Sequence, residues 1–258
     1  MQPVISIVIP VYNRENYLKI AIESVLRQTF NQFELIIWDD GTTDKSVEIA
    51  SQYAKQDKRV KVIAAKHQGQ TLALKRAFSV CSGKYVGWID SDDIIAPLAL
   101  AETAKILDKN SEIGLVYTDY LLIDKDNKIL GKGMRCQIPY SKDKLLVDFM
   151  IFHFRLMRRA VFQQAGGIDD NSGLAQDYDL CLRLSEITQI YHLQQPLYYH
   201  RKHSGNISHN KRVELIYSCQ NAITRALQRR GLDDDYEIKL EIVSKYYLEK
   251  KSEGLSQI

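Results

Sequence analysis

The chain has 258 residues, of which 45% are hydrophobic and 26% are charged. This length and composition suit one large domain, or two small domains that share a core, and they exclude wholesale disorder. The net charge is only +3, with the lysines and arginines spread along the chain, so a basic arm for nucleic acid is not expected.

Strands and helices alternate in the first half of the chain. Short apolar stretches predict four strands, at residues 4–9, 35–38, 60–64 and 85–89, of which the first, second and fourth suit buried positions. Asn13 and Asp44 are predicted to cap the helices that follow the first two strands, and a third helix is predicted to end near Phe78. This alternation predicts an α/β fold with a mostly parallel sheet flanked by helices.

The second half of the chain is less regular. A helix is predicted from about Pro97 to Leu107, a strand at residues 115–118 and a turn at residues 124–128. Further helices are predicted around residues 143–150, 159–165 and 177–186. Two closing helices are predicted at residues 211–230 and 235–250.

Cysteine usage and the length of the apolar runs indicate a compartment. The four cysteines lie far apart and form no CxxC pair, so we expect neither a zinc site nor a disulfide framework. Reduced cysteines are typical of cytosolic proteins. No signal peptide is visible, and no apolar run approaches the ~18 residues of a membrane span. We therefore expect a cytoplasmic protein, with peripheral contact at the inner face of the plasma membrane left open.

Polar side chains gather directly after three of the predicted strands, in the stretches PVYN (10–13), DDG (39–41) and DSDD (90–93). If the sheet is parallel, all three lie at one edge, outside the carboxyl ends of the strands, and line a single crevice. In an extended chain Asp90 and Asp92 point to the same side, where two carboxylates need a cation or a donor between them. Oxygen ligands of this kind suit Mg²⁺ or Mn²⁺ shared with phosphate oxygens. The alternative is a solvated acidic turn in which Asp93 caps the next helix.

Several stretches follow one another in a fixed order over about residues 3–209: SIVIPVYNRENYLKIAIESVLRQTFNQFELIIWDDGTTDKS, HQGQTLALKRAF, GKYVGWIDSDD, RRAVFQQAGGIDD, AQDYDLCLRLSE and YYHRKHSGNIS. In this combination the chain resembles the family 2 glycosyltransferases, which have the GT-A fold. With FHFRLMRRAVF and QDYDLCLRLSE, the stretch GLVYTDYLLID is most similar to the transferase modules of bacterial chondroitin- and hyaluronan-type polymerases.

The resemblance implies an activity and its partners. A family member of this kind transfers a sugar from a UDP-sugar to an acceptor hydroxyl, inverts the anomeric carbon and uses Mn²⁺ or Mg²⁺. The acceptor would be a glycan or a lipid-linked oligosaccharide, as in the synthesis of surface polysaccharides. Residues 1–95 would form the nucleotide-sugar-binding half and residues 96–210 the acceptor-binding and catalytic half of one GT-A domain. Residues 211–258 would be a C-terminal helical extension.

The resemblance also implies roles for single residues. Asp177 matches the general base that removes the acceptor's hydroxyl proton. Asp92 matches a metal ligand, and His203 matches a residue beside the metal and the diphosphate. Asp90 would contact the ribose or a metal-bound water. The nucleotide-binding candidates are Pro10, Val11, Tyr12, Asn13, Asp39, Asp40, Lys75, Arg76, Asp90 and Ser91.

Two positions depart from the family pattern. Gln176 stands where many relatives have glutamate, and Leu74 stands where many have arginine. Lys75 or Arg76 is then a candidate for the positive charge near the diphosphate. The departures keep a second hypothesis open, a non-catalytic module that binds nucleotide sugars or acts as a scaffold. A phosphatase or a nucleotidyltransferase is a third, although a phosphatase usually has a nucleophilic aspartate where this chain has Pro10.

Three further features allow two interpretations each. His67 lies either at the edge of the crevice or in a surface loop. His153 and Arg155, which alternate in FHFR, either contact a substrate or belong to the core with their hydrogen bonds satisfied. The segment YEIKLEIVSKYYLEKK is interpreted as ordinary packing or a homo-oligomer contact in preference to a helix lying on a membrane, because a cationic face is missing.

Overall fold

The computed structural model describes residues 2–206 and 210–241. Its first half alternates strands and helices as predicted. The strands are β1 (Ile5–Val11), β2 (Phe33–Asp39), β3 (Val60–Ala64) and β4 (Tyr85–Trp88), and the helices are α1 (Leu18–Leu26), α2 (Ser46–Gln56) and α3 (Gln70–Ser79). The four strands pair in parallel, in the order β3-β2-β1-β4. Every residue of β1, β2 and β4 is buried, as expected for strands covered on both faces.

The second half extends the same sheet. Its elements are β5 (Ile94–Ile95), α4 (Ala99–Lys109), β6 (Ile113–Ile123), β7 (Ile129–Lys132), β8 (Arg155–Arg158), α5 (Arg159–Gln164), α6 (Gln176–Ile187), β9 (Gln189–Arg201) and α7 (Arg212–Arg230). β8 lies antiparallel between β4 and β6, while β9 runs parallel to β6. The sheet order is β3-β2-β1-β4-β8-β6-β9-β5, with β7 paired to β6. The α/β sheet flanked by helices is therefore confirmed; it is parallel through β4 and mixed beyond it.

The sheet separates two apolar cores. Because neighbouring residues of a strand face opposite sides, Ile7 packs into one core and Val8 into the other. The first core contains side chains of α1 and α4, such as Leu18 and Leu100. The second core contains side chains of α3, α6 and α7. Helix α7 therefore packs on the same face of the sheet as α3 and α6.

Several predicted boundaries need correction. The first helix begins at Leu18 rather than after Asn13, whose φ of +51° is not helical. The helix predicted at residues 143–150 is reduced to a 3₁₀ turn at Lys144–Leu146. The closing helix at 211–230 is confirmed as α7. Residues 236–241 are not helical, and the rest of the helix predicted at 235–250 lies outside the described residues. Across the described chain, each helix is too short or too polar to cross a bilayer.

Candidate active site

A cavity of about 910 Å³ opens at the carboxyl ends of β1, β2 and β4. This position is the one expected for a ligand site in an open α/β sheet. The amino-terminal end of α6 forms the opposite part of its wall. The structure brings these predicted site residues into the wall of the cavity: Pro10, Val11, Tyr12, Asp40, Asp90, Ser91, Asp92 and Asp177.

One end of the cavity presents an aromatic surface. The Tyr12 ring stacks on the His67 ring, with 4.1 Å between centroids and an interplanar angle of 26°. Asp40 holds the loop between β3 and α3, called the second loop below, in place. Its carboxylate accepts the amide hydrogens of Gln68 (2.9 Å) and Gly69 (2.8 Å) and lies 2.9 Å from Nδ1 of His67. His67 therefore lies at the edge of the crevice, one of the two positions considered for it.

Close approach of these loops depends on Gly41. Its φ is +77°, and a Cβ atom there would lie 2.6 Å from the backbone nitrogen of His67. A side chain would thus both strain the turn and push the two loops apart. The glycine of the DDG stretch is required by the geometry that lets Asp40 reach the second loop.

Asn13 and Asp39 shape the loops and do not line the cavity. The Asn13 side chain accepts the amide hydrogen of Thr43 at 2.9 Å, and Asp39 accepts that of Thr42 at 3.2 Å. Asp44, predicted as a helix cap, accepts the amide hydrogen of Ser46 at 2.9 Å. For Asn13 and Asp39 the structure thus supports an indirect role, which corrects the expectation that they face the nucleotide.

Asp90 and Asp92 both reach the cavity but have different partners. Oδ2 of Asp92 lies 3.0 Å from Nε2 of His203 and 3.2 Å from Nε of Arg14. Oδ2 of Asp90 lies 3.3 Å from Nε2 of His153, whereas its buried Oδ1 has no hydrogen-bond partner among the described residues. Burial by itself raises the pKa of Asp90, but the charge of His153 and a hydrogen bond from it outweigh burial and lower this pKa.

The residues present fit a divalent metal only in part. In residues 2–206 and 210–241, no three His, Cys, Asp or Glu side chains converge on one metal position. Asp92 and His203 supply one carboxylate and one imidazole, and the unpaired Oδ1 of Asp90 lies in the same loop as Asp92. Mg²⁺ and Mn²⁺ commonly complete their coordination with waters and substrate phosphates. The donor set therefore fits a metal whose other ligands come from a diphosphate.

Asp93 has a structural role that the sequence analysis missed. It is 1% exposed and accepts hydrogen bonds from the backbone nitrogen of Arg201 (2.7 Å) and the hydroxyl of Tyr198 (2.7 Å). His200 lies 3.1 Å away through Nδ1. Burial raises the pKa of Asp93 despite the hydrogen bond from His200, and burial together with the Asp93 charge raises the pKa of Tyr198 well above its ordinary value. The alternative that Asp93 caps the next helix is wrong.

Asp177, the predicted base, is the second residue of α6 and lies against a buried arginine. Its Oδ2 is 3.2 Å from Nη1 of Arg155, and its Oδ1 accepts the amide hydrogen of Tyr178 at 2.8 Å. Arg155 is 1% exposed, lies 4.4 Å from the centroid of the Trp88 ring and contacts Nδ1 of His153 at 3.1 Å. Burial lowers the pKa of Arg155, but the charge of Asp177, the hydrogen bond to it and the charge of Asp90 contribute together to a net rise of this pKa, so the guanidinium stays charged.

These contacts form a continuous chain from Asp90 through His153 and Arg155 to Asp177. This chain of contacts joins the acidic loop after β4 to the start of α6, and its Arg155 is buried behind the cavity wall. The alternation in FHFR placed His153 and Arg155 on one face of a strand, and this was the sequence pattern that indicated that they lie together. Their partners could not be read from the sequence, because Asp177 lies 22 residues from Arg155.

The family departures have structural explanations. Leu74 is fully buried in the second core and does not face the cavity. Lys75 pairs with Asp170 at 2.7 Å, Arg76 is exposed on α3, and neither lines the cavity, so Arg14 replaces them as the cation beside Asp92.

Gln176 also fits its surroundings. With its amide nitrogen turned inward, it donates to the carbonyl oxygens of Leu174 (3.0 Å) and Gly173 (3.2 Å). An ionised glutamate at this position would face these two oxygens with its negative charge, so the amide suits this loop better.

Comparison with known proteins agrees with this geometry. Residues 6–166 match the sequence model described as glycosyl transferase family 2. The chain is 32% identical over 230 residues to chondroitin synthase of Escherichia coli, covering 89% of this chain and 33% of that protein. It is 28% identical over 260 residues to hyaluronan synthase of Pasteurella multocida, covering 99% of this chain and 26% of that protein. It thus spans about a quarter to a third of the length of these relatives.

A solved structure shows the same fold. The crystal structure of S. aureus TarS 1-349 in complex with UDP-GlcNAc aligns with a TM-score of 0.68 at 20% identity, over 86% of this chain and 66% of that chain. The fold is therefore GT-A, as the resemblance implied. Since the family match covers well over half of the sequence, this chain belongs to glycosyltransferase family 2.

Proposed function

We propose that the protein is a metal-dependent, inverting glycosyltransferase that moves a hexose or an N-acetylhexosamine from a UDP-sugar to the hydroxyl of a glycan or lipid-linked acceptor in polysaccharide synthesis. One observation carries the proposal: the Asp92–His203 pair and the Asp177–Arg155 pair line or adjoin one cavity. The donor class is supported by the UDP-GlcNAc complex of TarS, which shares the fold.

The residues that line or adjoin the cavity have different roles in this proposal. The Tyr12–His67 stack offers a flat surface for the uracil, and Arg14 adds positive charge next to Asp92. A divalent metal at Asp92 and His203 would neutralise charge on the departing diphosphate. Asp177 accepts the proton of the acceptor hydroxyl, and Arg155 holds its carboxylate in place. Inversion needs one base and no carboxylate nucleophile. Of the two carboxylates in the first turn of α6, Asp177 lines the cavity, whereas Asp179 is buried and pairs with Arg183 and Arg225.

Release of UDP from UDP-sugars in the presence of Mn²⁺ tests the proposal. Asp177→Asn removes the base, and we expect its rate of transfer to fall by about 10²- to 10⁴-fold. Asp92→Ala removes a metal ligand and should raise the Mn²⁺ concentration needed for half-maximal rate. Asp126→Asn, in an exposed turn where the side chain is 71% exposed, is the matched control and should behave as wild type.

Full activity of both cavity variants would contradict the assignment of the residues. Binding of UDP by the wild type, without transfer to any acceptor tried, would instead favour the non-catalytic nucleotide-sugar-binding module. Calorimetry with UDP and Mn²⁺ on the same preparations distinguishes these two outcomes.

A further inference from the structure

We propose that Arg135 forms a subsite for an anionic group of the acceptor, a carboxylate or a phosphate, beside the base Asp177. The acceptor end of the cavity is defined by Asp177, so the proposal rests on the proposed function. It adds the chemical class of the acceptor, which the family assignment leaves open.

Two aromatic rings hold Arg135 at the cavity. The residue belongs to the 3₁₀ turn Met134–Gln137 that follows β7, and it lines the cavity. Its Cζ lies 5.2 Å from the centroid of Phe149 and 5.1 Å from that of Phe152, both of which also line the cavity. Rings at this distance attract a guanidinium through its face and leave its N–H groups free to bind in the ring-flanked space.

Arg135 has no carboxylate partner among the described residues, unlike Arg14 and Arg155. Arg14 pairs with Asp92, and the buried Arg155 pairs with Asp177. Within residues 2–206 and 210–241, no carboxylate pairs with the guanidinium of Arg135. An anionic ligand would therefore supply the partner that this guanidinium lacks among the described residues.

The position of Arg135 assigns it to the acceptor side. The Phe149 ring packs on the ring of Tyr178, the residue after the base, with 4.7 Å between centroids. The same Phe149 ring lies 5.9 Å from Cζ of Arg155, which holds the base. One phenylalanine thus separates Arg135 from the Arg155–Asp177 pair. The nucleotide surface at Tyr12 and His67 is built by other loops, those after β1 and β3.

Two sources can provide the anion. A uronic acid residue at the growing end of a glycan offers a carboxylate on the sugar itself. A phosphorylated or lipid-linked acceptor offers a phosphate. Arginine binds both through paired N–H donors, so the shared chemistry is a planar, two-point contact to oxygen anions.

Direct binding measurements test the subsite without knowledge of the true acceptor. The protein is first loaded with UDP and Mn²⁺, and methyl glucoside, methyl glucuronide and methyl glucoside 6-phosphate are then titrated and followed by NMR. We expect one or both anionic sugars to bind about tenfold more tightly than the neutral sugar, the range for a charge-assisted hydrogen bond.

Three variants make the test specific. Arg135→Gln should abolish the preference for the anion, and Arg135→Lys should keep part of it because the charge remains but the two-point contact is lost. Arg27→Gln removes the same charge from α1, where the side chain is 74% exposed, and should leave the preference unchanged. Thermal unfolding of each variant verifies that it is folded.

The outcomes identify the source or reject the subsite. Preference for the glucuronide assigns a sugar carboxylate, and preference for the phosphate assigns a phosphorylated acceptor. Equal binding of all three sugars, or a preference that survives Arg135→Gln, overturns the proposal. UDP release from UDP-sugars is measured in parallel: an Arg135-dependent anion preference without sugar transfer would sink the proposed function alone, and transfer without the preference would sink the subsite alone.

Discussion

Arg155 is the side chain that holds the proposed base, Asp177. It is buried, stays charged and contacts Asp177, His153 and the face of Trp88. The contact of Arg155 with Asp177 therefore fixes the orientation of this carboxylate at the start of α6.

Replacing this arginine gives the first prediction at the residue scale. We expect Arg155→Met to lower kcat by about 10- to 100-fold, since the base loses a charge-assisted contact worth about 1.5–3 kcal/mol. UDP affinity should change little, because Arg155 contacts Asp177 and not the Tyr12–His67 stack. An unchanged kcat in a folded Arg155→Met protein would show that the contact has a purely structural role.

Single residues also show where sequence analysis stops. The alternation in DSDD predicted that Asp90 and Asp92 face one crevice, and the structure agrees. Their partners are distant in sequence, however: Arg14 is 78 residues from Asp92, and His203 is 111 residues away. No local pattern shows that Asp93 is buried among residues of β9. Nor does any show that Arg14, and not Lys75 or Arg76, is the cation beside Asp92.

At the scale of elements, prediction succeeded where burial dominates. β1, β2 and β4 are short, mostly apolar and buried on both faces, so their positions followed from composition alone. β9 was missed, because its middle is polar and exposed and contains Pro196. It pairs along β6 with several register shifts, which an irregular strand tolerates. Such a strand is recognised from its neighbours, which are known only once the sheet is assembled.

A buried carboxylate in β2 links three strands. Glu34 accepts hydrogen bonds from Ser6 Oγ (2.6 Å), the Ser82 amide (2.8 Å) and Lys61 Nζ (2.7 Å). These residues come from β1, the approach to β4, and β3. Burial alone would raise the pKa of Glu34, but the hydrogen bonds from Lys61, Ser6 and Ser82 outweigh it and lower the pKa to about 2 from 4.5.

The lowered pKa predicts a pH dependence of stability. The ionised contacts of Glu34 contribute fully above about pH 4.5 and are lost as the pH falls toward 2. Urea denaturation at pH 5, 4 and 3 should show that wild type loses about 2 kcal/mol of unfolding free energy through this group between pH 5 and pH 3. Glu34→Gln should be less stable at pH 5 and should lose less on acidification. Parallel curves for the two proteins would refute the assignment.

At the scale of the whole molecule, residues 1–95 and the described part of residues 96–210 form two sides of one sheet. β8 joins the two sides by pairing with both β4 and β6. Asp93 adds a second connection, from the acidic loop to β9. Arg225 of α7 pairs with Asp169 and with Asp179 of α6. The described parts of the three predicted regions, 1–95, 96–210 and 211–258, are thus joined by polar contacts, and the division itself stays a prediction.

Removal of Asp93 tests whether the two sides unfold together. Asp93→Ala leaves two buried groups, the Arg201 amide and the Tyr198 hydroxyl, and the partly buried His200 ring without this acceptor. Each unpaired buried group costs about 1 kcal/mol or more, so we expect a loss of about 3 kcal/mol in unfolding free energy. Wild type should unfold in one step, with circular dichroism and tryptophan fluorescence giving the same midpoint. Asp93→Ala should unfold at a lower midpoint, or in two steps with different midpoints for the two probes. Asp126→Ala, in an exposed turn, should leave the midpoint unchanged. An Asp93→Ala curve that overlays wild type would mean that β4–β8 pairing alone holds the two sides together.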